Sequence, residues 1–124
     1  MYIISKEFHF SASHSLCDLE EGHPCMRNHG HNYIVVVELE REELDKTGMI
    51  LDYGKLKPIG DWIDNTFDHR HLNDVVDFNP TAENLAKYIF DKCQAIFYEQ
   101  YQLLNTLAAV SVKETPKTVA TYRR

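Results

Sequence analysis

The chain has 124 residues, of which 44% are hydrophobic and 26% are charged, so we expect one compact domain over residues 1–124 and exclude wholesale disorder. Its net charge of −6, with 13 basic residues scattered along the chain, argues against a nucleic-acid scaffold with a basic face. No apolar run approaches the roughly 20 residues of a membrane span. Three cysteines without an export signal favour a reduced, cytoplasmic setting. We therefore expect neither a membrane nor a nucleic acid as a partner.

The N-terminal third of the chain predicts two strands joined by a long loop. From Tyr2 to His14, apolar residues such as Phe10 alternate with polar ones and share a face with His14, which is the period of a strand. The segment His31–Glu40 is rich in β-branched residues and predicts a second strand. Between them, Ser15–Gly30 is a loop rich in glycine, proline, cysteine and histidine.

The middle of the chain predicts two helices. Apolar residues recur at helical spacing from Lys55 to Phe67, where Pro58 is tolerable because it falls in the first turn. After a polar break over Asp68–Asp74, a longer apolar stripe predicts a helix from Ala82 to Leu104, with Thr81 as its N-cap.

The end of the chain alternates again, over Thr106–Glu114 and Thr118–Arg123, and predicts two strands joined by a turn. The order is therefore β-β-α-α-β-β. Strands at both ends of the chain indicate an α+β fold, in which a sheet carries its helices on one face.

Histidine is the residue whose distribution stands out, because five of the seven histidines fall between His9 and His31. His29 and His31 are two apart on a strand, so their side chains share a face with Cα atoms roughly 7 Å apart. If the first two strands pair, His14 joins them, and three imidazoles can converge on one metal. Three histidines with an open fourth position are typical of catalytic zinc. The alternative is a set of unrelated surface or hydrogen-bonded histidines.

Cys25 precedes His29 by four residues and has His23 and Arg27 as neighbours. Nearby cations, a histidine or a metal lower the pKa of a thiol and make it a base or nucleophile. Cys25 is therefore a candidate reactive thiol. It could also be a fourth metal ligand or a spectator.

Two further groups are candidates for acid–base chemistry and ligand binding. Asp68 stands beside His69, and a carboxylate that orients an imidazole suits proton transfer, with His71 as an alternative partner. Glu114 ends the third strand on the face of Val112, where its carboxylate could accept two parallel N–H bonds from a ligand. The alternative is a strand-end glutamate in water.

Taken together, the sequence resembles the 6-pyruvoyl-tetrahydropterin synthase/6-carboxy-tetrahydropterin synthase family over nearly the whole chain. The motifs that carry the resemblance are Phe10-Ser11-Ala12-Ser13-His14, Gly22-His23-Pro24-Cys25-Met26-Arg27-Asn28-His29-Gly30-His31-Asn32-Tyr33, Gly48-Met49-Ile50-Leu51-Asp52-Tyr53, Phe67-Asp68-His69, Leu72-Asn73, Pro80-Thr81-Ala82-Glu83-Asn84-Leu85-Ala86 and Glu114-Thr115.

The resemblance implies a T-fold, in which a four-stranded antiparallel sheet and two helices assemble around a central barrel, commonly as a homohexamer with active sites at subunit interfaces. By position, it implies zinc ligands at His14, His29 and His31, a catalytic thiol at Cys25, an acid/base pair at Asp68 and His69, and pterin-binding residues at Glu114 and Thr81.

The short spacing between Cys25 and His29 resembles that of the bacterial and archaeal 6-carboxy-tetrahydropterin synthases of queuosine and archaeosine biosynthesis. These lyases convert 7,8-dihydroneopterin triphosphate to 6-carboxy-5,6,7,8-tetrahydropterin, acetaldehyde and triphosphate. The alternatives are a 6-pyruvoyl-tetrahydropterin synthase, a non-catalytic metal- or pterin-binding module, and a structural zinc domain with His23 or Cys25 as its fourth ligand.

Overall fold

A long antiparallel hairpin forms the centre of the computed structural model, which describes residues 1–124. Strand β1 (Tyr2–His14) pairs along its whole length with β2 (His29–Arg41), and the register sets Phe10 opposite Tyr33 and His14 opposite His29. The second strand thus begins two residues earlier than predicted and ends one later. The loop between the strands contains one short 3₁₀ turn, Pro24–Met26.

Five strands make up the sheet, in the order β3-β1-β2-β4-β5. Strands β4 (Leu107–Lys113) and β5 (Ala120–Arg123) are antiparallel to their neighbours, as predicted. Strand β3 (Arg70–His71) runs parallel to β1 and pairs with it at the far edge. The prediction of four strands was one short, because two residues within a polar break carry no periodicity.

Three helices connect the strands. Helix α1 (Lys57–Phe67) follows a 3₁₀ turn at Tyr53–Leu56, and α2 (Leu72–Val75) is a single turn that the sequence did not predict. Helix α3 (Ala82–Tyr101) has the predicted cap, since the Thr81 hydroxyl accepts the Asn84 N–H at 3.1 Å. None of the helices is long and apolar enough to span a bilayer.

Helix α3 ends three residues before the predicted Leu104. Gln102 takes the left-handed conformation, with φ of 54°, and its N–H bonds to carbonyls of the last turn. A left-handed residue that satisfies the last carbonyls is a common helix stop, which apolar periodicity does not reveal.

The helices cover the sheet face that carries Phe10 and Tyr33, so the architecture is the α+β fold that the sequence predicted. The Phe10 ring stacks on Tyr33 at 4.7 Å between centroids and on Phe67 of α1 at 5.1 Å. His14 lies at the end of this apolar face and is fully buried. A polar residue in that position needs hydrogen-bond partners or a ligand.

Candidate metal centre and active site

The hairpin register brings the three predicted histidines together. His14 lies directly opposite His29, and His31 lies opposite Ala12, two residues before His14 on the same face. One ring nitrogen from each of the three histidines lies within 4.8 Å of the others, and the Nε2 atoms of His14 and His29 are 2.9 Å apart. The spacing argument therefore predicted the cluster correctly.

Backbone carbonyls fix the tautomers of two of these rings. His14 Nδ1 lies 2.9 Å from the carbonyl oxygen of Pro80, and His29 Nδ1 lies 2.8 Å from that of Arg27. A carbonyl oxygen only accepts, so each Nδ1 carries the proton and each Nε2 presents a lone pair. Such carbonyl partners are also what orients histidines that bind metals.

The third ring has an unpaired nitrogen. His31 Nε2 is buried and makes no hydrogen bond, although Glu114 Oε2 lies 3.3 Å away. An unpaired buried nitrogen costs free energy unless a ligand meets it. The Nε2 lone pairs of His14 and His29, together with the third imidazole of the cluster, fit a divalent metal ion such as zinc.

Burial favours the metal-binding form of two of these histidines, His14 and His31. It lowers the pKa of His14 below its usual value, although the Pro80 carbonyl and Glu114 act in the opposite direction. Burial also lowers the pKa of His31, again against the opposing effect of Glu114. Both shifts favour neutral imidazole, which is the form that binds metals.

The cluster contains three histidines and no cysteine. His23 lies outside it and is exposed, and its Nδ1 accepts the Cys25 N–H at 3.1 Å within the short 3₁₀ turn. Cys25 is half-buried and also lies outside the cluster. The chain therefore provides an open three-ligand arrangement instead of the four-ligand set of a structural zinc domain.

Two asparagines to which the sequence analysis gave no role, Asn73 of the Leu72-Asn73 motif and Asn79, hold the start of the loop that carries Cys25. Asn73 accepts the Ser15 N–H at 2.9 Å and donates to the Ser15 carbonyl at 2.8 Å. Asn79 brackets Cys17 in the same way, at 2.9 and 3.0 Å. Each asparagine side chain thus makes the two hydrogen bonds, one accepted and one donated, that the backbone of a neighbouring strand would make.

The bracketed segment connects directly to the candidate thiol. Leu16, which lies between the two bracketed residues, donates its N–H to the Cys25 carbonyl at 2.8 Å. Cys25 is therefore held by the residues that directly follow β1, and these are held in turn by Asn73 and Asn79, in and after α2. The Leu72-Asn73 motif was the one sequence signal for this connection.

The predicted Asp68–His69 pair forms and docks on β1. Asp68 accepts the Ser11 N–H at 2.9 Å with Oδ1 and lies 2.9 Å from His69 Nδ1 with Oδ2. These contacts, the Ser11 N–H first, hold the pKa of the Asp68 carboxyl below its usual range. The alternative partner His71 instead contacts the hydroxyl of Ser13, at 2.9 Å.

Within one chain, this pair and the thiol remain separate from the metal-binding histidines. His69 is exposed, and its one side-chain contact is with Asp68. No hydrogen bond or ion pair joins His69 or Cys25 to the cluster. A single chain therefore assembles the candidate metal centre but only part of the predicted catalytic set.

Glu114 and Thr81 both lie near the metal-binding histidines. Glu114 is only about a quarter exposed and faces His31, so it is not a strand-end glutamate in open water. Thr81 caps α3, and the preceding Pro80 carbonyl holds His14. Apart from this capping bond, the Thr81 hydroxyl makes no hydrogen bond within the chain.

Comparisons with known proteins identify the family of the chain. The model of the family described as 6-pyruvoyl tetrahydropterin synthase matches residues 3–124. The chain is 34% identical to the 6-carboxy-5,6,7,8-tetrahydropterin synthase of Bacillus subtilis over 97% of its length and 84% of the relative's. It is 38% identical to the enzyme of that name from Synechocystis, over 76% of each protein.

Solved structures give the same result for the fold. The 6-pyruvoyl tetrahydropterin synthase of Caenorhabditis elegans superposes with a TM-score of 0.81 at 35% identity, over 100% of this chain and 97% of that one. The synthase of Plasmodium falciparum superposes with a TM-score of 0.77 at 18% identity, over 99% and 97% of the two chains, and at that identity the match speaks for the fold alone.

Proposed function

The chain belongs to the 6-pyruvoyl tetrahydropterin synthase family, and we propose that it acts as a cytoplasmic 6-carboxy-5,6,7,8-tetrahydropterin synthase of queuosine or archaeosine biosynthesis. Its substrate would be 7,8-dihydroneopterin triphosphate, and its products 6-carboxy-tetrahydropterin, acetaldehyde and triphosphate. The observation that carries the proposal is the open three-histidine centre beside a loop with Cys25 four residues before His29. Relatives named for this activity support it.

His14, His29 and His31 would hold the metal, for which we propose zinc. Bound zinc acts as a Lewis acid that stabilises charge developing on substrate oxygens. The chain's own contribution is to keep three imidazoles aimed at one point. The Pro80 and Arg27 carbonyls do this by fixing the two ring tautomers.

Cys25 would act as the base that removes a proton from a side-chain carbon of the substrate. The asparagine brackets keep its loop in one conformation, which a proton transfer needs, since donor and acceptor must lie within hydrogen-bond reach. Asp68 would orient His69 through the Nδ1 contact, so that Nε2 is the atom that exchanges protons with the substrate.

The separation of these groups within one chain supports an oligomer. His69 is exposed and makes no hydrogen bond to the metal-binding histidines of its own chain, so it would serve the site of a neighbouring subunit. We therefore propose a homo-oligomer with sites at subunit interfaces, as a hexamer built from two trimers.

Glu114 would bind the pterin. A carboxylate can accept two parallel N–H bonds, and the 2-amino group and adjacent ring N–H of a pterin offer that pair. Its half-buried position beside His31 would place the pterin next to the metal. Thr81, whose neighbour Pro80 holds His14, is a second candidate contact for the substrate.

The test is product analysis by mass spectrometry on zinc-loaded protein with 7,8-dihydroneopterin triphosphate, with Cys25→Ala and Cys17→Ala in parallel. We expect carboxy-tetrahydropterin and acetaldehyde from the wild type and Cys17→Ala, and none from Cys25→Ala. Pyruvoyl-tetrahydropterin would instead favour the activity for which the C. elegans relative is named. No consumption of substrate would contradict the proposal and favour a binding module.

A further inference from the structure

A polar groove of about 490 Å³ lies beside the Asp68–His69 pair. Ser11 and Ser13 of β1 and Asn32 of β2 line it, and they alternate with core residues, so they belong to the sheet face opposite the helices. Arg70 and His71 of β3 form its outer side. None of the nine lining residues is acidic.

Hydrogen bonds within the groove leave donors without partners. The Ser11 hydroxyl donates to Asn32 Oδ1 at 2.7 Å, which leaves the Asn32 amide N–H groups unpaired. The Ser13 hydroxyl lies 2.9 Å from His71 Nδ1. When this hydroxyl donates, Nε2 of His71 carries a proton that no acceptor in the chain meets.

Arg70 adds a full positive charge to these donors. It is exposed and forms no ion pair, whereas Arg123 and Arg124 pair with Glu38 and Glu40. The Asp68 carboxylate, next to the groove, uses its two oxygens on Ser11 and His69 and forms no ion pair with Arg70. Among the nine lining residues, Arg70 therefore carries the one permanent charge, in a chain whose net charge is −6.

Unpaired N–H donors around a free guanidinium suit an anion with many oxygens, because such an anion accepts several charge-assisted hydrogen bonds at once. The groove lies on the sheet face opposite the metal-binding side chains, at the end of the hairpin that carries them, since His31 is one of its lining residues. Gly30, which has no side chain, lines it at this end.

From these contacts we infer that the groove binds the triphosphate of the substrate, an assignment that rests on the proposed function. Arg70 is the charged contact, and the Asn32 amide and His71 ring supply neutral donors. Because His69 lines the groove and is proposed to serve a neighbouring subunit's site, the triphosphate would be that of the substrate held by the neighbour's metal-binding histidines and pterin-binding glutamate.

Inorganic triphosphate is the direct probe, measured by isothermal titration calorimetry on the zinc-loaded, full-length protein. Arg70→Gln should weaken its binding about tenfold or more, since a charge-assisted hydrogen bond is worth about 1.5–3 kcal/mol. Arg41→Gln, which removes an exposed arginine at the other end of β2, should bind like the wild type. Equal affinity of the two variants would overturn the assignment.

Asn32→Asp is a second, nearly isosteric variant that replaces the unpaired amide with a negative charge and keeps the acceptor for Ser11. It should weaken triphosphate binding and raise the KM for 7,8-dihydroneopterin triphosphate. The matched control is Asn65→Asp on the exposed side of α1. Binding by Asn32→Asp as tight as that of the control would also contradict the assignment.

The two proposals fail separately. Turnover by the wild type with an unchanged KM in Arg70→Gln would overturn the groove assignment and leave the proposed function intact. Triphosphate binding that Arg70→Gln abolishes, in a protein that consumes no pterin substrate, would overturn the proposed function and establish the groove as a polyphosphate site.

Discussion

The Nε2 atoms of His14 and His29 face each other at 2.9 Å, and neither carries a proton that could join them. Both protons are on the Nδ1 atoms, where the carbonyls of Pro80 and Arg27 accept them. Two lone pairs at that distance repel each other unless a cation lies between them. A divalent cation bound by both atoms would remove this repulsion.

Chelation should therefore lower stability without unfolding the protein. A ligand that binds only the folded state stabilises it by mass action, and that contribution disappears with the metal. The hydrophobic core of 23 buried residues does not depend on the metal. We expect circular dichroism to show native secondary structure after chelation, with a lower Tm and no activity.

Variants of single histidines sharpen this experiment. His29→Ala should lose the metal by elemental analysis, whereas His9→Ala, which changes an exposed histidine outside the cluster, should keep it. An unfolded spectrum after chelation would instead indicate a structural zinc domain.

Removal of the Cys25 thiol should separate chemistry from metal binding. Cys25 lies outside the histidine cluster, so Cys25→Ala should retain the full metal content. Loss of a general base typically costs roughly 10²- to 10⁴-fold in rate, and kcat should fall by that order. Metal loss in Cys25→Ala would show that the thiol is a ligand after all.

Sequence periodicity was sufficient for the histidine cluster because a strand fixes which face each side chain takes. Once the two strands pair, His29 and His31 share their face with His14, and this does not depend on how the rest of the chain folds. The cap at Thr81 was predictable for a similar reason, since it depends on residues only three apart.

Contacts between distant segments could not be predicted in this way. The brackets made by Asn73 and Asn79 join residues about sixty positions apart, and single asparagines in polar segments give no pattern. Strand β3 was missed because its two residues form through the docking of Asp68 on Ser11.

The bracket at Cys17 can be tested through the thiol it positions. Asn79→Ala removes both hydrogen bonds to the Cys17 backbone, each worth about 1 kcal/mol at most in this exposed setting. We expect kcat to fall several-fold while metal content is unchanged. Asn65→Ala, on the exposed face of α1, is the matched control.

A purely structural role for Asn79 would lower the Tm and leave kcat of the folded enzyme unaltered. The alkylation rate of Cys25 gives an independent measure, because a loosened loop exposes the thiol more often. Equal alkylation rates in Asn79→Ala and the control would contradict the positioning role.

Thiol counting should distinguish the three cysteines. Cys93 is fully buried on α3, and burial raises the pKa of its thiol to about 12. Cys17 is exposed and Cys25 half-buried. A thiol reagent at neutral pH should therefore modify Cys17 and Cys25 in the native protein and Cys93 only after denaturation, and rapid native modification of Cys93 would contradict the packing of α3.

The hydrogen bond from the Ser11 N–H to Asp68 predicts that replacing Asp68 lowers the free energy of unfolding by an amount that depends on pH. The folded-state pKa of Asp68 is lowered by the Ser11 N–H and by His69, from an unfolded value near 3.8. A lowered pKa means that the folded state favours the ionised form, so the contribution is present above the unfolded pKa and is lost as the pH falls through the folded one. Urea unfolding of wild type and Asp68→Asn should therefore differ at about pH 7, and the difference should shrink below about pH 4. The matched control is Asp64→Asn on α1, because Asp64 makes no hydrogen bond or ion pair, and this variant should show no such trend. A difference between wild type and Asp68→Asn that does not change with pH would mean that the Ser11 contact does not depend on the charge of Asp68.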